Sequence, residues 1–170
     1  MNIFILDTDF RKNVQMYVDN HVVKMPLESA QMLCTAVNDA YGMQIAPYKS
    51  THQNHPCTLW VKQSRQNFNY LWNLMHYIDG ERMQRFNRTE EHMSVRQLQE
   101  YKLWKYAHLF PDIGLTDFAQ CMPEQYKVPG DACKAYQNYY MYEKQHIWKW
   151  TGRPMPDFIK NTLNNELIII

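Results

Sequence analysis

His21, Lys24, Glu28, Gln31 and Thr35 follow one another at alternating steps of three and four. On an α-helix, at about 100° per residue, they fall within an arc of about 80°. A plain solvated face repeats Lys and Glu at i and i+4. This one presents an imidazole, an amine, a carboxylate and an amide in order, a set suited to proton transfer and to hydrogen bonding a substrate. The other reading of the same residues is an ordinary boundary between core and solvent.

A second polar group, Tyr48, Lys49, Thr51, His52, Asn54 and His55, stands directly before Pro56 in a stretch that reads as a loop, where side chains converge readily on a site. His52 and His55, three apart, are spaced for a metal, and His21 would complete three nitrogens around a zinc with an open position. More often one histidine of such a pair caps the next helix and the other touches a ligand. No HExxH or carboxylate-rich motif supports a metal, so the expectation is no metal and no cofactor.

A third group is aromatic. Tyr136, Tyr139, Tyr140, Tyr142, Trp148 and Trp150 are interleaved with Lys134, Lys144, Lys149 and Arg153. Rings beside cations suit stacking on unpaired bases, at roughly 1–3 kcal/mol per base, together with phosphate contact. Helical spacing puts at least half of these rings in the core. Trp148, Lys149, Trp150 and Arg153 are the part expected to reach a ligand, with the polar stretches 115–120 and 122–127 as a pocket rim.

These groups need elements to hold them. The apolar run 2–6, ended by Asp7-Thr8-Asp9, reads as a buried extended entry followed by a helix cap, and anchoring Ile3 and Ile5 would fix the terminal amine in place. From 20 to 41, Val23, Leu27, Ala30, Cys34 and Val37 mark an amphipathic helix ended by Gly42. Pro26 lies inside it, so either the helix starts near Met25 or a kink separates a turn at His21 from the main helix. Trp60, Val61, Phe68, Leu71, Trp72, Met75 and Ile78 predict one long core helix over 58–88, with Gly80 a point of interruption. A shorter helix capped by Ser94 runs to about 108, the chain over 110–130 is irregular, and a last helix capped by Asp131 runs to about 150, with Ala132, Ala135, Tyr139, Glu143, His146 and Trp150 on one face. The apolar tail 167–170 has no assigned place, and no internal repeat is visible.

The predicted fold is therefore all-α, a single-domain bundle of about four to five helices spanning 1–170 with long irregular connections. With 45% hydrophobic and 14% aromatic residues, there is ample material for one core. The opening run is too short and too poor in basic residues for a secretory signal, and no stretch nears the roughly 18 apolar residues of a membrane span, so a cytoplasmic chain with no membrane partner is expected. Cys34, Cys57, Cys121 and Cys133 show no CxxC pair and read as structural thiols. A net charge of +1 gives no long-range pull toward a polyanion, so any nucleic-acid contact must be local.

Several short motifs, in chain order, resemble the endonuclease V type of pyrimidine dimer DNA glycosylase known from a bacteriophage and from bacteria. Asp19-Asn20-His21 is similar to the acid-amide-histidine stretch of that family, and Glu28 falls where its catalytic glutamate stands. Tyr48-Lys49 and Asn54-His55-Pro56 resemble a tyrosine-lysine-asparagine-histidine-proline stretch, here with an insertion. Residues 122–127 resemble a proline-acidic-aromatic-basic segment, and 148–153 the aromatic, basic end. Leu27 and Gln31 stand where the family carries arginines. The resemblance implies a compact helical fold in which the N-terminal amine attacks the sugar carbon of a damaged nucleotide. A methionine before bulky Asn2 is usually retained, so the nucleophile would be the amine of Met1.

The chemistry is coherent. α-Amines as a class keep a neutral, nucleophilic fraction at cellular pH and form imines at a sugar C1′. Glu28 would stabilise developing positive charge or move protons, while His21 and Lys24 orient sugar or phosphate. Asn20, Gln31, Tyr48, Lys49, His52, Asn54, His55, Trp148, Lys149, Trp150 and Arg153 complete the expected substrate surface, and the base must be flipped out to be reached. The expected activity is a DNA glycosylase, with or without abasic-site lyase activity, on a damaged or modified pyrimidine, and no obligate protein partner is evident. The alternatives are an enzyme acting on free pyrimidine nucleotides and a non-catalytic nucleic-acid-binding module.

Overall fold

The computed structural model describes residues 1–167, so 168–170 of the apolar tail lie outside the described residues. The chain is all-α, as its periodicity predicts. Its helices are α1 (Phe10–Gln15), α2 (Asp19–Tyr41), α3 (Pro56–Gln63), α4 (Arg65–Arg85), α5 (Met93–Tyr101), α6 (Ala132–Glu143) and α7 (Asp157–Leu167). Short 3-10 segments occupy Leu103–Leu109, Glu124–Tyr126 and Gln145–Ile147. Among the described residues no strand is present, and no helix is long and apolar enough to cross a membrane.

There are more helices than the four to five expected, for local reasons. α1 and α7 are too short, or too mixed in polarity, to announce themselves by period. The apolar stripe of 58–88 is divided at Ser64, whose extended backbone (φ −150°, ψ 158°) ends α3 while its side chain accepts from Asn67 N to cap α4. Gly80 lies inside α4 and interrupts nothing. His92, rather than Ser94, caps α5, its ring accepting from Ser94 N. That helix stops at Tyr101, because Lys102 takes a left-handed conformation (φ 58°) and the chain tightens into the 3-10 segment. Asp131 caps α6 as expected, but the helix ends at Glu143 instead of near Trp150, and its buried face is Ala135, Tyr136, Tyr140 and Met141.

α2 packs chiefly on α4, with α3 and α5 alongside, and it runs unbroken from Asp19 through Pro26 to the left-handed Gly42. Neither expected late start nor separate turn is needed, because the first turn is held from outside. Asp19 N donates to Lys149 O, and the Asp19 carboxylate accepts from Thr151 and from Arg85. Those ties offset the helical bond that Pro26, lacking an N–H, cannot make to Val22. The apolar stripe is also rotated at this end: Val23 and Leu27 are 51% and 37% exposed, whereas Val22 and Met25 are buried.

The entry segment is buried from Ile3 to Leu6. With no sheet beside it, its backbone polar groups pair with side chains. Leu6 N donates to Asn13 Oδ1 (2.7 Å), Asn13 Nδ2 and Tyr17 Oη donate to Phe4 O, and Gln137 Nε2 donates to Leu6 O (3.0 Å). Asn13→Ala should orphan the Leu6 N–H and cost about 2–3 kcal/mol in urea unfolding. Gly80→Ala, on an exposed helical position where an added Cβ meets nothing within 4 Å, should raise stability by about 0.5–1 kcal/mol in the same assay.

Candidate functional site

Anchoring residues 3–6 brings the Met1 α-amine to 3.7 Å from Glu28 Oε2, an ion-pair contact just beyond hydrogen-bond length. The Met1 side chain and the Glu28 side chain are 3% and 11% exposed, while Met1 as a whole is half-buried. The other carboxylate oxygen, Oε1, pairs with Lys24 Nζ at 2.8 Å, and Lys24 is 69% exposed. Glu28 is therefore held between the terminal amine and a solvent-facing lysine.

Beside this pair, half-buried His55 ends the loop and caps α3, its Nδ1 accepting from Cys57 N at 3.2 Å. That is the capping role expected of one histidine in the His52/His55 pair. Burial lowers the His55 pKa, the Met1 amine and His52 add to the effect, and Glu28 opposes it. The Cys57 and Cys121 sulfurs are 3.2 Å apart, and both are free thiols. Their shared hydrogen bond and burial push Cys57 up, while the same bond, helped by the Met1 amine, brings Cys121 down. Either thiol can donate in this contact. Ligand-type atoms of His55, Cys57 and Cys121 lie within 4.8 Å of one another. The nitrogen set weighed from sequence, His21 with His52 and His55, is not the group that converges.

No protein-family model, curated protein or solved structure matches this chain.

His21 packs against the entry segment. Its ring stacks on Phe4 (4.3 Å between centroids, 15° between planes), and Nδ1 is 2.5 Å from Tyr140 Oη. Burial first, then Lys144 and Lys24, lowers its pKa to about 3. Burial raises Tyr140 well above the usual phenol range, so the hydrogen bond joins a neutral phenol and a neutral imidazole. At neutral pH His21 is an uncharged ring bracing the entry segment through Phe4.

The remaining expected site residues divide by their contacts. Asn20, Lys49, His52 and Asn54 are exposed, and Gln31 is half-buried. His52 sits at φ 49° with its Nδ1 against the Thr51 hydroxyl. Thr35 is buried and exchanges two hydrogen bonds with the Thr51 backbone, tying the loop to α2. Tyr48 is engaged elsewhere, donating toward Ser94 and Gln97 of α5. The aromatic, basic end is stitched inward: Trp148 Nε1 donates to Tyr140 O, Trp150 Nε1 to Met16 O, and Arg153 clasps both Glu81 oxygens at 2.9 Å. Of Trp148, Lys149, Trp150 and Arg153 only Lys149 is exposed, its carbonyl being the one that receives Asp19 N. Clefts of about 380 Å³ between α1 and α4, and about 460 Å³ beside Asp39 and Lys62, include neither Met1 nor Glu28.

Cys57 and Cys121 read from sequence as structural thiols and Tyr140 as one ring of the aromatic group, so their places beside His55 and His21 are not foreseen. Cys57 follows His55-Pro56 directly, but Cys121 comes 64 positions later, so no spacing links them.

The depressed His21 pKa has a sign that can be worked out. Above about pH 6.5 the ring is neutral in both folded and unfolded chains. Between there and about 3 only the unfolded chain takes the proton, so stability falls as pH falls through that window. The loss should be on the order of 4 kcal/mol for this group. Urea midpoints measured from pH 7 to 3.5 should drop steeply, and His21→Phe, though less stable at pH 7, should show a clearly shallower drop.

Proposed function

We propose that the chain is a cytoplasmic DNA glycosylase with abasic-site lyase activity, acting on a damaged or modified pyrimidine through the Met1 amine and Glu28. One observation carries the reading: the Met1 α-amine stands 3.7 Å from the buried carboxylate of Glu28. Met1 nitrogen in its neutral form attacks C1′ of an extruded nucleotide. The C1′–N bond to the base breaks, and the base leaves with the electron pair and takes up a proton. Opening of the sugar ring then gives an imine between Met1 and C1′. Glu28, ionised and close to the same atom, stabilises the developing positive charge and relays protons. Lys24, whose ammonium already sits on Glu28 and reaches solvent, contacts the sugar or phosphate. His55 borders the pair, while His21 positions the amine through Phe4.

A second reading, an enzyme on free pyrimidine nucleotides, is favoured by one fact: a net charge of +1 offers little to a polyanion. The two readings separate on substrate.

Borohydride reduction of the untagged protein on abasic, dimer-containing and undamaged duplexes should trap a covalent adduct, with mass spectrometry placing it on the Met1 nitrogen. Glu28→Gln should lower the trapped yield by about 100-fold without unfolding the protein. No adduct on any DNA, with the terminus verified as free, would sink the imine mechanism. Base release from free nucleotides in the same preparation would then favour the second reading.

A further inference from the structure

We propose that His55, Cys57 and Cys121 form a binding site for a thiophilic divalent cation, zinc by preference, with a fourth position left for water or a substrate atom. Two sulfurs and one imidazole are the donor set that such an ion selects, and carboxylate-loving ions do not. The three ligand-type atoms already lie within 4.8 Å of one another.

Each donor is fixed by the fold. His55 is the N-cap of α3, and Cys57 stands in its first turn. Cys121 comes from the irregular stretch between α5 and α6, where Tyr136 of α6 pins it by accepting from Cys121 N (3.4 Å) and donating to Ala119 O (2.8 Å). The sulfur separation also favours a metal over a disulfide. Thiolates on a tetrahedral zinc stand about 3.8 Å apart, given Zn–S bonds of about 2.3 Å. From 3.2 Å that is an opening of about 0.6 Å, whereas a covalent S–S bond needs a closure of about 1.1 Å.

Binding exchanges two weak contacts for three metal bonds. The thiol hydrogen bond between Cys57 and Cys121 is lost, and their two protons leave to solvent. The long 3.2 Å cap bond on His55 Nδ1 is given up in either coordination mode. If Nδ1 binds, its lone pair is taken. If Nε2 binds, the ring proton moves to Nδ1, which can no longer accept from Cys57 N. A dication on two thiolates is neutral overall, so the nearby Met1 ammonium is not repelled. The site stands on these three residues alone and is independent of imine chemistry at Met1.

The test uses the full chain, reduced and stripped by a chelator, titrated with cobalt(II). One equivalent should bind, giving a sulfur-to-cobalt charge-transfer band in the near ultraviolet and tetrahedral bands in the visible, with about two protons released. One equivalent of zinc should abolish the bands. Cys121→Ser and His55→Asn, the latter keeping a capping side chain, should each weaken zinc by at least about 100-fold with unchanged circular dichroism. Cys133→Ser should bind as the unaltered chain does. Absent bands in the folded, reduced protein would overturn the proposal, as would bands that survive in Cys121→Ser. Borohydride trapping on the stripped protein reads the imine separately, so one reading can fail while the other stands.

Discussion

An extended segment buried without a sheet must find hydrogen bonds for its backbone among side chains, and the rest of this structure is arranged around that need. Asn13 serves residues on both sides of Ile5, accepting from Leu6 and donating to Phe4, as a neighbouring strand would. Tyr17 adds a second donor on the Phe4 carbonyl, and Gln137 takes that of Leu6. An unpaired buried amide or carbonyl costs about 1–3 kcal/mol. These side chains from α1, the α1–α2 turn and α6 therefore determine whether Ile3 to Leu6 stays in the core, and with it whether the Met1 amine has a fixed address.

The same junction is locked by charge. The Arg85 side chain is fully buried, where an unpaired guanidinium would be strongly destabilising. It meets the carbonyls of Val14, Gln15 and Tyr17 at the exposed end of α1, and the carboxylates of Asp19 and Glu81. Glu81 in turn binds Arg153, and Asp19 binds Thr151, so the C-terminal stretch closes over the start of α2. The first turns of α2, which carry His21, Lys24 and Glu28, are thereby held by ion pairs as well as by the rotated apolar face of Val22 and Met25, while Val23 and Leu27 face solvent.

Burial then sorts chemically similar residues into different work. His21, sealed under Phe4 and Tyr140, is neutral and structural. His55, half in water and beside two thiols, Met1 and Glu28, retains chemical options. Trp148 and Trp150 resemble each other in sequence context and both use their indole N–H groups to close the fold. An amine, a carboxylate and two sulfurs are thus gathered near His55.

The helical class was legible in the residues themselves, because the 3.6-residue period of α2, α4 and α6 leaves a trace that no strand pattern rivals. The stop at Gly42 and the cap at Asp131 are equally local, set within a turn of the helix they bound. Element ends such as Ser64, His92 and Glu143 were not, since they depend on which neighbour supplies a hydrogen bond. The pairing of Met1 with Glu28 was expected from the resemblance, but the gathering of His55, Cys57 and Cys121 beside it was not, because it joins a loop, a helix and a distant irregular stretch that no motif spans. The sequence alone determined that the chain would be helical around one apolar core, though not which residues each helix would bury, as Val23, Leu27 and the α6 face show. Tertiary packing decided which polar groups were left facing one another, because only the folded chain fixes which of them lose water together.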